Sequence, residues 1–222
     1  ADGRMDIQSA AEMDAVVAKL EKEQFAVESV KKGEKSKKAP LPFTTSTLQQ
    51  EAAKALNFST QKTMRIAQQL YEGVDIDGHG TIGIITYLRT DSTRVAAEAD
   101  VSAREYIKNN YGVDYYCPID NKKENDKKIQ DAHEAIRPTD IELTPAKIKD
   151  SLARDQFRLY QLIWKRFAAS RMQPARYETT TAKITVGGHH FSSSSSRLVF
   201  DGFMSVYAEA DEEKEENNSM VG

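Results

Sequence analysis

An α+β fold is predicted for this chain of 222 residues, with a helical domain inserted between two β-rich segments. The prediction depends on a change in the residue pattern along the chain. Helical spacing and N-capping residues dominate residues 44–173, whereas alternating apolar and polar residues rich in β-formers occur on both sides. We therefore set the domain boundaries at 1–38, 39–173 and 174–222.

The first segment is predicted to hold one helix and one strand. Ser9 and Glu12 fit a capping box at the start of a helix over 10–22. Residues 24–30 alternate in the manner of a strand. The lysine-rich run 31–38 and the prolines that follow are expected to end regular structure.

The central domain is predicted to be almost entirely helical. A capping box at Ser46–Gln49 begins one helix, a turn at 57–59 follows, and a second helix covers about 60–72. Two short helices around a tight turn are typical of a helix-turn-helix and equally of any small bundle. The glycine-rich stretch 73–83 is predicted to be a loop. Further helices are predicted at 102–111, 145–153 and 154–171.

The last segment is predicted to return to β structure, with strands at 177–186 and 197–207. Gly187-Gly188 separates them, and Asp201-Gly202 indicates either a hairpin turn or a bulge. The serine run 192–196 is either a loop or an engineered joint.

Composition excludes several classes of protein. A single cysteine excludes a disulfide framework and a cysteine zinc site within the chain. No apolar run reaches the roughly 18–20 residues of a membrane helix, and we expect a cytoplasmic protein. The net charge of −3 is concentrated in the acidic segment 209–216, so the remainder is slightly basic, which is compatible with a polyanionic partner.

The densest group of polar side chains lies in GIITYLRTDSTR, residues 83–94. On the residues alone, the ordinary interpretation is a short strand with Tyr87 in the core, followed by a helix capped by Asp91 or Ser92. The functional interpretation makes Tyr87 a nucleophile. A phenol, with a pKa of about 10, needs help to react at neutral pH, and Arg89 could supply positive charge.

This segment resembles the active-site tyrosine segment of bacterial DNA topoisomerase I, the type IA class. Two further motifs, LPFTTSTLQQ at 41–50 and AHEAIRP at 132–138, resemble the same family and occur in the expected order. The resemblance implies a helical tyrosine domain between the two parts of a β-rich arch. It also implies relaxation of negatively supercoiled DNA by single-strand cleavage, strand passage and rejoining, without ATP.

The resemblance assigns roles residue by residue. It implies that Tyr87 becomes joined to a 5′ phosphate of DNA and that Arg89 steadies the scissile phosphate. It places His133 near the cleavage site and Asp91 where it could orient that histidine. Arg89, Asp91 and Arg94 are the predicted DNA contacts, and the predicted partner is a single-stranded segment of the duplex. We expect a monomer on the bacterial nucleoid.

Members of the family hold Mg²⁺ in an acidic domain with an Asp-x-Asp-x-Glu motif, and that motif is missing here. The nearest match, Asp75-Ile76-Asp77, is followed by glycine and histidine. We therefore expect an internal fragment of a longer enzyme, with Mg²⁺ bound elsewhere and no relaxation by this chain alone. The alternative is a non-catalytic nucleic-acid-binding module in which Tyr87 is structural.

Other candidates have ordinary explanations. His189-His190 could bind a metal, but the sequence offers no third ligand. Aromatic residues on the helix 154–171 could stack on bases, although their spacing is typical of a core face. Basic residues on that helix leave a modest case for phosphate contacts at Arg154, Arg158, Lys165, Arg166 and Arg171.

Overall fold

The computed structural model describes residues 6–117 and 133–207, and these divide into two compact units. One unit takes the chain up to Ser36 together with Arg176–Phe200, and the other takes Lys37–Ala175 together with the residues from Asp201 onward. Residues 201–207 therefore lie in the helical unit, whereas the sequence analysis grouped them with the β-rich segment. The acidic segment 209–216 lies outside the described residues.

The smaller unit consists of helix α1 (Ala10–Leu20) and a three-stranded sheet. Ser9 caps α1, as predicted, and accepts a hydrogen bond from the amide of Glu12. The strands stand in the order β1-β4-β5, with these bounds: β1 (Ala26–Lys37), β4 (Ala175–Val186) and β5 (His189–Phe200).

The lysine-rich run and the serine run both form strand, which contradicts the predicted end of regular structure at the first and the loop interpretation of the second. The lysine-rich run continues β1 as far as Lys37, at one edge of the sheet, where lysine is well tolerated. The serine run lies inside β5 and pairs with the threonine-rich part of β4, as in the pair Thr181 and Ser194. Gly187 and Gly188 both have positive φ and form the tight turn between the strands.

The larger unit is built on helices, with these bounds: α2 (Thr45–Glu51), α3 (Thr60–Glu72), α4 (Ala97–Asn110), α5 (Pro145–Ile148) and α6 (Arg154–Ser170). A π-helical turn over Ala52–Leu56 and a left-handed Asn57 join α2 to α3. The capping residue of α2 is Thr44 rather than Ser46, and α4 begins five residues before its predicted start. The mixed helix and sheet content agrees with the predicted α+β class.

The core of the larger unit lies where α3 and α6 pack together. Tyr160 and Trp164 of α6 are buried and donate hydrogen bonds to the carbonyls of Leu143 and Ile141. Burial raises the pKa of the Tyr160 phenol well above its ordinary value. The aromatic face of α6 is therefore core rather than a base-stacking surface.

Two glycine-containing stretches differ from their predictions. Residues 73–83 form a hairpin of β2 (Val74–Ile76) and β3 (Gly80–Ile82), not an open loop. Asp201-Gly202 begins a 3-10 turn, and only glycine fits there, since its φ is positive and a Cβ would lie 2.3 Å from the Gln173 carbonyl oxygen. None of the helices among the described residues combines the length and the hydropathy of a membrane-spanning segment.

Candidate active site

Tyr87 lies on an extended segment that leaves β3 and runs over the end of α3. Ile84, Ile85 and Leu88 are each 1% exposed or less, and Tyr87 between them is 47% exposed. Buried neighbours thus hold the backbone of this segment while the phenol faces outward. The interpretation of Tyr87 as a core residue is not supported.

The ring of Tyr71, in the last turn of α3, supports the ring of Tyr87. The two centroids are 5.4 Å apart and the planes meet at 65°, an edge-to-face contact. This contact limits the tilt of the Tyr87 ring. Within the described residues, the Tyr87 hydroxyl has no hydrogen-bond partner.

Thr86 ties the tyrosine segment to the segment that follows His133. Its hydroxyl donates to the carbonyl of Ala135 at 2.7 Å and accepts from the amide of Arg137 at 3.0 Å. Its own amide donates to the carbonyl of Arg137 at 2.9 Å. Three hydrogen bonds at the residue before Tyr87 therefore link two predicted motifs that are about 50 residues apart in the chain.

Close packing fixes the start of the same segment. The amide of Ile84 donates to the Leu70 carbonyl at 2.9 Å, and the Thr139 hydroxyl donates to the carbonyl of Gly83 at 3.0 Å. A Cβ at Gly83 would lie 2.4 Å from the carbonyl oxygen of Tyr71. Only glycine fits this approach without movement of the backbone.

His133 is exposed and belongs to the non-helical segment 133–139. Isolated bridges pair this segment with Phe43 and with Ile85, and the amide of Ala135 donates to the Arg94 carbonyl at 2.8 Å. The structure brings His133 and Tyr87 onto two backbones that are bonded to each other.

Arg89 and Asp91 are exposed and lie on the irregular segment between Tyr87 and α4. Neither Asp91 nor Ser92 caps a helix, because α4 begins at Ala97 without a side-chain cap. Ser92 instead stabilises the turn, its amide bonded to the Thr90 hydroxyl and its own hydroxyl accepting from the Arg94 amide.

Arg94 is half-buried, and its Nε is buried without a hydrogen-bond partner in the described part of the chain. The side chain lines a cavity of about 1120 Å³ beside α4, together with Arg104, Lys108 and Cys117. Burial raises the pKa of the Cys117 thiol, and the nearby Arg171 partly offsets that effect. The cavity is lined by more cationic than anionic side chains.

A family model described as DNA topoisomerase matches residues 1–221. The chain belongs to this family. It is also similar to full-length topoisomerase I from Thermotoga maritima, with 41% sequence identity and a TM-score of 0.78. The match covers 91% of this chain and 32% of that protein, so the chain spans about one third of the length of the enzyme that it matches. These matches confirm the resemblance to type IA topoisomerases.

Residues 6–117 and 133–207 contain no group of three acidic, histidine or cysteine side chains that could hold a metal ion. Asp75 and Asp77 lie on the β2–β3 hairpin and are exposed. His190 lies 3.7 Å from the carboxylate of Glu28 and, with His189, completes no metal-binding group.

Three of the five basic residues predicted as modest phosphate contacts on the helix 154–171 have structural partners. Arg171 is buried and paired with Asp100 at 3.2 Å. The Arg166 guanidinium stacks on the rings of Phe43 and Tyr207 and donates to the Leu41 carbonyl. Arg158 donates to the carbonyl of Leu56. These three side chains stabilise the fold.

Sequence reasoning missed two threonines that build the site. Thr86 and Thr45 bond to backbone groups between 43 and 51 residues away. Both lie inside motifs that the sequence analysis quoted, but no local pattern indicates which hydroxyl reaches a distant strand. The signal that could have identified them is a threonine hydroxyl that lies inside a motif and is not needed to cap a helix.

Proposed function

We propose that this chain is the tyrosine-bearing part of a longer type IA topoisomerase that relaxes negatively supercoiled DNA. In the proposed reaction, the Tyr87 oxygen attacks a backbone phosphorus of a single-stranded segment. A phosphotyrosyl bond to the 5′ phosphate forms, and the 3′ oxygen leaves. The reverse attack by that 3′ hydroxyl reseals the strand after passage of another strand. ATP is not needed, because the ester conserves the energy of the broken bond.

One observation carries the proposal: Tyr87 is a half-exposed phenol on a backbone that is fixed on both sides. The exposure lets a phosphate reach the hydroxyl, and the hydrogen bonds of Thr86 fix the backbone at the neighbouring residue. A positioned nucleophile avoids much of the entropic cost of a reaction between free partners. The exposed phenol without a hydrogen-bond partner in the described residues supports this function over the alternative binding module, in which Tyr87 is structural.

The proposed roles of the neighbours follow from their chemistry. The Arg89 guanidinium can donate two hydrogen bonds to the non-bridging oxygens, which gain negative charge in the transition state. The His133 imidazole can bind phosphate or move a proton near neutral pH. Asp91 orients His133, and Arg94 contacts the DNA backbone. The histidine segment and the tyrosine segment are joined by the hydrogen bond from the Thr86 hydroxyl to the Ala135 carbonyl.

We also propose that the magnesium ion of the full enzyme is held outside this chain, which agrees with the lack of a group of three possible ligands among the described residues. The metal belongs to another part of the longer enzyme and assists resealing. We further propose that the enzyme acts as a monomer on the nucleoid in the bacterial cytoplasm.

The test is to trap the covalent adduct in the full-length enzyme. Wild-type enzyme and the variants Tyr87→Phe and Tyr71→Phe are incubated with a labelled single-stranded oligonucleotide, denatured, and analysed by mass spectrometry. We expect the wild type and Tyr71→Phe to give a phosphotyrosyl peptide that contains residue 87, and Tyr87→Phe to give none. Tyr71→Phe is the matched control, because it removes a neighbouring hydroxyl and keeps the ring contact. An adduct with Tyr87→Phe, at any residue, would refute the proposal.

A further inference from the structure

One threonine side chain bonds to the backbone on both sides of Arg89. Thr45 is the first residue of α2, and its hydroxyl donates to the Leu88 carbonyl at 2.7 Å. The same oxygen accepts from the amide of Thr90 at 2.8 Å, and the Thr45 amide donates to the Thr90 carbonyl at 2.9 Å. Arg89 lies between two residues that are held by a single partner.

These hydrogen bonds cannot easily be replaced by water. Leu88 is 1% exposed and Thr90 is 8% exposed, whereas the Arg89 side chain is exposed. A buried carbonyl or amide that loses its partner keeps the full cost of desolvation. The backbone flanking Arg89 therefore depends on Thr45 for its conformation.

The hydroxyl of Thr45 is not needed by its own helix. Thr44 and Thr47 complete the N-terminal capping of α2, since the side chain of each accepts from the amide of the other. Thr45 differs from both in directing its hydroxyl to a segment more than 40 residues away. A helix that only required a good N-terminus would leave this position to any residue.

We propose that Thr45 is a positioning residue for Arg89, the arginine that meets the scissile phosphate. This inference rests on the proposed function of the tyrosine segment. A cationic donor accelerates a reaction only when it is held where charge develops, so that no reorganisation is needed during the step. Thr45 supplies that restraint without touching the substrate.

The experiment uses two substitutions at one position in the full-length enzyme. Thr45→Val keeps the branched shape and removes the hydroxyl, whereas Thr45→Ser keeps the hydroxyl. We expect Thr45→Val to slow single-strand cleavage roughly 10- to 100-fold, as small misplacements of reacting groups do. Oligonucleotide affinity should change little, and Thr45→Ser should restore most of the cleavage rate. Cleavage by Thr45→Val at the wild-type rate would overturn the inference.

A double-mutant cycle separates positioning of Arg89 from general stability. In an Arg89→Ala background, Thr45→Val should cause no further loss of cleavage, because the group that it positions is already gone. An equal loss in both backgrounds would make Thr45 merely structural and overturn the inference. Tyr87→Phe in the same assay tests the proposed function itself: if that variant still cleaves, the proposed function fails and this inference fails with it. If Tyr87→Phe is inactive while Thr45→Val is normal, only the role of Thr45 is refuted.

Discussion

Substitution of Gly83 by alanine tests the close contact that positions the tyrosine segment. The added Cβ would lie 2.4 Å from the carbonyl oxygen of Tyr71, about 1 Å closer than ordinary carbon–oxygen contacts. That oxygen belongs to the backbone of α3 and cannot rotate away. The segment must therefore move, and the movement would break the bond from the Ile84 amide to Leu70, now 2.9 Å.

The expected cost follows from these two effects. Overpacking of a tight contact costs about 1–3 kcal/mol, and loss of one backbone hydrogen bond adds about 1 kcal/mol. Gly83→Ala should thus lower the free energy of unfolding of the larger unit by about 2–4 kcal/mol. If the free energy of unfolding falls by about 2 kcal/mol per molar urea, the midpoint of urea unfolding should fall by about 1–2 M.

The fluorescence of Trp164 measures the unfolding of the larger unit, which contains Gly83. It is the single tryptophan of the chain and is buried in the larger unit, where its ring packs against Tyr106. Gly33→Ala is the control: its Cβ would meet only the Thr179 side chain, at 3.2 Å, in the smaller unit. An unchanged Trp164 midpoint in Gly83→Ala would refute the argument that this contact holds the segment.

Four further predictions follow from the same geometry. Arg89→Ala in the full-length enzyme should lower cleavage by roughly 10²–10³ with little change in DNA affinity, and an equal fall in both would make Arg89 a binding residue only. Arg171→Ala should lower the urea midpoint by the equivalent of about 1.5–3 kcal/mol, measured by fluorescence, because it removes a charged hydrogen bond to the half-buried Asp100. Burial raises the pKa of Cys117, so a smaller fraction of this thiol is ionised at pH 8 than of a small free thiol. Iodoacetamide should therefore alkylate Cys117 more slowly than the free thiol. Alkylation that is as fast in the native chain as in urea would contradict this prediction. The chain alone should not relax supercoiled plasmid with Mg²⁺, and its weak binding to single-stranded DNA should fall steeply with salt; Mg²⁺-dependent relaxation would contradict this reading.

The helices and their ends were largely predictable because their determinants are local. Ser9 as a cap, the α3 range and the end of α6 before Pro174 depend on residues within one or two turns. The start of α4 was missed, since Ala96 offers no capping side chain and Ser102 imitates a cap inside the helix. A local signal can thus point to a wrong boundary when the true one has none.

The strands were less predictable because their partners decide them. Serine favours turns, yet Ser192–Ser196 form a strand because the threonine-rich β4 lies beside them and fixes the register. The same applies to the site. Tyr87 was identifiable from its motif, whereas the contacts of Thr86 and Thr45 depend on which distant backbones the fold brings together.

The hydrogen bonds of Thr86 have a consequence for movement during the proposed reaction. They join the tyrosine segment to the histidine segment directly, and β-bridges join the latter to Phe43 and Ile85. A displacement that carries Tyr87 must therefore carry the residues after His133 with it. Between cleavage and resealing, the DNA end joined to Tyr87 would move together with the residues after His133. Resealing would then require the return of one preassembled piece rather than the renewed alignment of several.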